Sequence, residues 1–200
     1  MVPFVGLTGG MGVGKSTALA ALERLGARTI SSDAVVHELW AGSEQLHQAV
    51  VERWGAEVAP DGKVDRAAVA ERAFADADER AWLEQLLWPL VGARVAAWLS
   101  EAREQPQAGQ RAPRAAVVEV PLLFEAGLEG IYDATIAVVS EEQLRRDRAA
   151  ARGHALVDER TARQLSQREK AERATYVVRN DGSEDELERE LSAVLDMLDG

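Results

Sequence analysis

A three-layer α/β fold built on a parallel β-sheet is predicted by three features of this 200-residue sequence. Residues 2–8 form a short apolar, β-branched run that passes directly into a glycine-rich loop and then an Ala/Leu-rich helical pattern ending near Leu25. A second short strand, residues 27–31, follows Gly26 at a distance that implies a right-handed βαβ crossover. Two buried-type strands, residues 115–120 and 133–139, come later, after a long helical stretch.

Composition sets the scale. With 46% hydrophobic and 28% charged residues, the chain can bury the core of one compact domain but hardly that of two. Lys and Arg total 23 against 34 Asp and Glu, a net charge of -11, so phosphate backbones and anionic lipids are repelled overall. An anionic ligand therefore needs a locally basic site, and neither nucleic acid nor membrane is an expected partner. Cysteine is absent, which excludes disulfides, thiolate metal sites and a cysteine nucleophile, and fits a reducing cytoplasm. The opening MVPFVGLTGG lacks a basic start and a long apolar stretch, and no later run approaches a membrane span. A cytoplasmic protein is expected.

From about Ala34 the pattern is helical. Leu46, Val50 and Trp54 recur every four residues, and Trp82, Leu83, Leu86, Leu87, Leu90, Val91, Val95, Trp98 and Leu99 recur every three or four. Pro89 should begin a new helix there or kink one. All five tryptophans, Trp40, Trp54, Trp82, Trp88 and Trp98, lie in this segment and are expected in its core, with a ligand groove as the alternative. Residues 105–114 read as a surface loop. After the strand at 133–139, Ser140 and Gln143 have the spacing of a capping box. Between Gln143 and Thr175 there are nine Lys or Arg against five Asp or Glu, a local +4 where an anion can be clamped. Residues 176–178 form a last strand and Asn180-Asp181-Gly182 a turn. Ser183 with Glu186 then caps an amphipathic helix on Leu187, Leu191, Val194, Leu195 and Leu198.

The chemistry concentrates in Gly9-Gly10-Met11-Gly12-Val13-Gly14-Lys15-Ser16-Thr17, a Walker A pattern between a strand and a helix. Its glycines let backbone N–H groups turn inward on a phosphate, and the new helix presents its positive end to the same anion. Lys15 is expected to bridge the β- and γ-phosphates, Ser16 to hold Mg²⁺, and Thr17 to donate to the α-phosphate. The Asn-Lys-x-Asp signal of a GTPase is absent, since Asn180 is the only asparagine. Small size and a late arginine-rich segment favour a small-molecule kinase.

Beyond the loop, the sequence resembles the dephospho-CoA kinase family over nearly its whole length. Ser31-Ser32-Asp33-Ala34 stands where that family has Asp-Ala-Asp, Asp61-Gly62-Lys63-Val64-Asp65-Arg66 resembles its Asp-Gly-x-x-Asp-Arg turn, and Pro121-Leu122-Leu123-Phe124-Glu125 is its Pro-Leu-Leu-Phe-Glu. Gln143-Leu144-Arg145-Arg146, Arg160 with Gln164, and Asn180-Asp181-Gly182 follow in the family's order. The resemblance implies a P-loop kinase core of five parallel strands (residues 1–33 and 115–200), a helical CoA-side insertion (34–104) and a lid with its flanking helix (about 143–175). It implies transfer of the γ-phosphoryl of ATP to the 3′-hydroxyl of dephospho-CoA, with Mg²⁺. A monomer or weak homo-oligomer is expected.

By the same resemblance Asp33 stands at the acceptor hydroxyl, with its alternative a helix N-cap. Arg146 and Arg152 neutralise phosphate charge, whereas Arg145, Arg148 and Arg163 read equally as a solvated face. Asn180 lies beside the adenine or forms an ordinary turn. Thr8, Leu122, Phe124 and Glu125 are assigned to the acceptor. Three positions depart from the family pattern: Ser31 for its first aspartate, Trp88 where histidine is usual before Pro89, and Thr175 where aspartate is usual. His37, His47 and His154 have no metal or dyad spacing and read as surface residues. A kinase for another nucleotide or nucleoside, or a nucleotide-responsive binding protein without transfer, are the alternative functions.

Overall fold

A computed structural model describes residues 1–104, 111–151 and 164–199. Among them, five parallel strands, β1 (Phe4–Thr8), β2 (Arg28–Ser31), β3 (Ala116–Glu119), β4 (Ala134–Val139) and β5 (Tyr176–Arg179), form one sheet in the order β2-β3-β1-β4-β5. The helices are α1 (Lys15–Arg24), α2 (Ser32–Gly42), α3 (Glu44–Trp54), α4 (Arg66–Ala75), α5 (Ala77–Arg103), α6 (Glu142–Ala151), α7 (Gln167–Arg173) and α8 (Glu184–Asp199). The chain divides into two compact units, Met1–Ser31 with Leu99–Gly200, and Ser32–Trp98. Arg152, His154, Arg160 and Arg163, with most of the surface loop at 105–114 and part of the segment read as a lid, lie outside the described residues.

In the first unit β1 is central, and all five of its residues are buried. Val5 and Leu7 of β1 share one face with Val117, Ile136, Val138 and Val178, and this face packs on Ala18, Ala21 and Leu22 of α1 and on Leu187, Leu191, Val194 and Leu195 of α8. Each large side chain so buried contributes about 1.5–3 kcal/mol before chain entropy is subtracted. The opposite face closes over Gly6, where an added Cβ would sit 2.5 Å from Leu123 and 3.0 Å from the Tyr132 ring. Because β3 and β4 flank β1 on opposite sides, the connections leaving their carboxyl ends diverge, and a crevice opens at the carboxyl end of β1.

Tyr132 also stacks on Phe4, with ring centroids 4.7 Å apart. Burial pushes its phenol up from 10.0 to about 12. Its contribution to stability is therefore complete below about pH 10, where the unfolded chain's tyrosine ionises, and is lost as pH rises through about 12. Denaturant titrations between these values should show a steeper loss for the wild type than for Tyr132→Phe; equal slopes would contradict the assignment.

The capping expectations divide. At Ser183 the box is reciprocal: its hydroxyl accepts from the Glu186 N–H and its N–H donates to Glu186 Oε2 at 2.8 Å, which holds the Glu186 carboxyl below its ordinary range. At Ser140 there is no box. α6 begins at Glu142, while the buried Ser140 hydroxyl donates to the Asn180 carbonyl at 3.0 Å. The hydroxyl oxygen accepts from Arg148 at 3.2 Å in place of a backbone N–H of the helix's first turn. Thr175 exchanges bonds with Thr135, its hydroxyl accepting the Thr135 N–H and its own N–H donating to Thr135 Oγ1, both at 3.0 Å. A threonine thus supplies the acceptor oxygen that an aspartate would offer at this junction.

The second unit is helical. Leu46, Val50, Val58 and Val69 form its centre, with Trp40, Trp54, Trp82 and the Leu83, Leu86, Leu87 and Leu90 ridge packed around them. Trp54 meets Trp82 edge-on at 5.1 Å and donates its indole N–H to Glu79 at 2.7 Å. Arg53 pairs with the same carboxylate and stacks over Trp82. One expectation fails here. Trp88 is 55% exposed and does not join the core. Of the two outcomes expected at Pro89, a new helix does not occur, because α5 runs as one element from Ala77 to Arg103 with Pro89 inside it. The missing N–H and ring clash cost about 3 kcal/mol. The flanking leucines packed on the core offset that cost.

Candidate active site

The Gly9–Thr17 loop leaves the carboxyl end of β1 and turns into α1 at Lys15, inside the crevice that the strand order creates. Gly12 and Gly14 have φ of +77° and +88°, the left-handed region that favours glycine. Neighbours also forbid a side chain there: a Cβ on Gly12 would lie 2.5 Å from the Arg145 carbonyl oxygen, and one on Gly14 would collide with Asn180 Nδ2. Since α1 starts at Lys15, the N–H groups of its first turn lack intrahelical acceptors and are available to an anion.

Side-chain donors hold the loop's carbonyls from outside. Asn180, buried at the end of β5, donates from Nδ2 to Val13 O at 2.8 Å. Arg145 donates from Nε to Met11 O at 3.1 Å, and Lys15 from Nζ to Gly10 O at 3.3 Å. The Lys15 ammonium also lies 3.9 Å from Glu119, a buried carboxylate at the end of β3. Ser31, the last residue of β2, is in register with Glu119. In α1 the Ser16 side is exposed and Thr17 is half-buried.

Beside the loop, the turn after β3 carries Leu122 half-buried, with Leu123 and Phe124 only 0% and 3% exposed. Thr8, fully buried, donates to Pro121 O at 3.3 Å. Glu125 accepts from the Leu165 N–H at 2.8 Å and from Lys170 Nζ at 3.3 Å, its other oxygen pairing with the same ammonium at 2.9 Å.

Of the arginines, Arg146 pairs with Glu142 one turn earlier on an exposed face. Arg148 donates to Asn180 O at 2.9 Å and to Ser140 Oγ at 3.2 Å. Asp33 belongs to the second unit, where it is exposed in the first turn of α2. The helix begins one residue earlier, at Ser32, so Asp33 is within the first turn and not the N-cap. In that unit Arg66 donates to His37 Nδ1 at 2.6 Å, while Asp65 caps α4 by accepting the Ala67 N–H at 2.8 Å.

The structure thus gathers Thr8, the loop, Lys15, Asn180 and Glu125 around the end of β1. It adds three residues that sequence reasoning missed or left undecided. Glu119 had a signal, as the single charge in an apolar strand. Arg145 was indistinguishable by pattern from Arg146, and Lys170 in α7 gave no signal at all.

The chain matches the dephospho-CoA kinase family over residues 3–186. It is 36% identical over 196 residues to the dephospho-CoA kinase of Synechococcus sp. (strain CC9902), covering 96% of this chain and 94% of that protein. The crystal structure of TT1252 from Thermus thermophilus superposes with a TM-score of 0.77 at 33% identity, covering 100% of both chains. The dephospho-CoA kinase from Campylobacter jejuni shares the fold, with a TM-score of 0.69 at 22% identity over 100% of this chain and 98% of that one. A phosphate loop at the switch point of a five-stranded parallel sheet, matched from Pro3 to Glu186, makes this chain a member of the dephospho-CoA kinase family.

Proposed function

We propose that the residues around the end of β1 transfer the γ-phosphoryl of ATP to the 3′-hydroxyl of dephospho-CoA, giving coenzyme A and ADP. The observation that carries this reading is the Lys15 ammonium held between Gly10 O and Glu119 at the mouth of the loop in a chain of this family. Its charge stands where the β- and γ-phosphates of a nucleotide on the loop would come.

Gly10 to Gly14 wrap the β-phosphate with backbone N–H groups, and the N–H groups at the start of α1 add the helix dipole. Thr17 donates to the α-phosphate and Asn180, which braces the loop through Val13, lies beside the adenine. Arg146 and Arg152 supply further positive charge to the transferred group. Ser16 is the protein ligand for Mg²⁺. The donors fit a hard cation that keeps few protein ligands, since the exposed Ser16 hydroxyl lies in the first turn of α1 and the carboxylate nearby already engages Lys15. With Mg²⁺ bound, charge on the β- and γ-phosphate oxygens is neutralised.

On the acceptor side, Thr8, Leu122, Phe124 and Glu125 shape the approach, residues 34–104 form the CoA side, and Asp33 receives the acceptor hydroxyl. A loose phosphoryl-transfer transition state demands little deprotonation, so the carboxylate serves by aiming the oxygen at phosphorus. The absence of cysteine fits a cytoplasmic location, and we take the protein as a monomer or weak homo-oligomer. Among the described residues, no helix is long and apolar enough to cross a membrane.

A coupled ADP-release assay tests the reading. With Mg²⁺ and ATP, ADP release should depend on dephospho-CoA and yield a product heavier by one phosphate. Nucleotide binding with no dependence on dephospho-CoA would overturn it.

A further inference from the structure

Lys170 is 1% exposed and is the largest fully buried side chain among the described residues. Its ammonium donates to Pro121 O at 2.6 Å and Thr8 Oγ1 at 3.4 Å, and reaches the two Glu125 carboxylate oxygens at 2.9 Å and 3.3 Å. The three N–H donors of an ammonium thus meet three separate groups. Burying such a charge costs several kcal/mol of desolvation, and well-packed apolar residues often replace buried ion pairs without loss of stability. Stability alone therefore gives weak reason for a lysine at this point.

What the ammonium joins is more informative. Pro121 opens the turn after β3, which runs to Gly127, and Glu125 lies within it. Within the turn, bonds are local: Ala126 N donates to Leu122 O at 3.0 Å, Gly127 N to Phe124 O at 3.2 Å, and Leu128 N to Leu123 O at 3.0 Å. These bonds shape the turn but do not set its place relative to β1. Its start is tied to β1 by Val120 N donating to Leu7 O at 2.8 Å and by Pro121 O, which Thr8 and Lys170 share, while Glu125, anchored by Lys170 and the Leu165 N–H, ties the turn to the segment entering α7.

We propose that Lys170 is a positioning residue for the acceptor: by holding Pro121 and Glu125 it fixes the turn that presents Leu122 and Phe124 to dephospho-CoA, and the Glu125 carboxylate acts chiefly through this pairing. The inference rests on the reading that this turn serves the acceptor. Loss of Lys170 leaves the nucleotide side nearly intact, because Thr8 keeps its place in the β1 ladder and the loop is braced by Asn180 and Arg145.

The test is steady-state kinetics of full-length Lys170→Met and wild type, varying each substrate at saturation of the other, well below both melting temperatures. The expected result is a rise of about tenfold in KM for dephospho-CoA with KM for ATP changed less than about twofold. A purely structural lysine would lower the melting temperature or the active fraction, hence kcat, and leave both KM values alone; that outcome overturns the proposal. Should Lys170→Met fail to fold, Glu125→Gln decides. It keeps oxygen and size but loses the charge, and should raise the same KM by about threefold, whereas an unchanged KM overturns the proposal. Wild type with no turnover of dephospho-CoA would overturn the underlying reading and this inference together, while an active wild type with unshifted variants overturns the inference alone.

Discussion

Lys15→Ala is expected to lower phosphoryl transfer by about 10³-fold, the scale seen when a preorganised charge facing the transition state is removed from a water-poor site. The geometry predicts this size of effect because the ammonium is held at the phosphate loop, donating to Gly10 O at 3.3 Å with Glu119 at 3.9 Å. The substitution also leaves Glu119 buried with one fewer cation nearby. A loss of about 1 kcal/mol there would lower the melting temperature by only about 2–4 °C in a chain of this size. Single-turnover rates compared with melting curves separate the two effects, and transfer within about tenfold of wild type would refute the role given to Lys15.

Asp33→Asn should separate binding from chemistry more sharply. Nucleotide affinity is expected to stay within about twofold, because the loop, Lys15 and Asn180 are untouched, while turnover falls by about 10²–10⁴-fold. An amide keeps the size and one acceptor oxygen of the carboxylate but loses its charge, and it offers an N–H that can turn toward the hydroxyl. Asp33 lies inside the first turn of α2 and is exposed, so its loss removes no buried contact and stability should hardly change. Isothermal titration with ATP beside rate measurements checks both halves. Turnover at the wild-type rate would remove Asp33 from the mechanism.

How much of this site the sequence reveals depends on the range of the interactions that build it. The loop was legible because all its determinants are local: glycines with positive φ at Gly12 and Gly14, a strand before them and a helix after. The box at Ser183 was legible for the same reason, its two partners being three residues apart. Ser140 has the same local spacing, yet its hydroxyl bonds Asn180 across 40 residues, and no local pattern contains that partner. Pro89 is a parallel case, where packing of Leu83, Leu86, Leu87 and Leu90 outweighs a local breaker.

The arginines show the same limit at the site itself. Arg145 and Arg146 are adjacent in one basic run, but consecutive helical residues point about 100° apart. One consequently donates to Met11 in the loop while the other pairs with Glu142 on the exposed face. Pattern alone cannot orient a helix whose neighbours come from distant segments.

By itself, then, the amino-acid sequence determined the α/β class, the phosphate loop, the order of the strands along the chain and the resemblance to a kinase family, since each is written in short-range spacing and residue type. Only the tertiary structure decided the lateral order β2-β3-β1-β4-β5, the bracing of the loop by Asn180 and Arg145, and the meeting of Lys170 with Thr8, Pro121 and Glu125. Those contacts span 45 to 167 residues, and their partners are chosen by how sheet and helices pack, a choice made by burial of the whole core and not by any one segment.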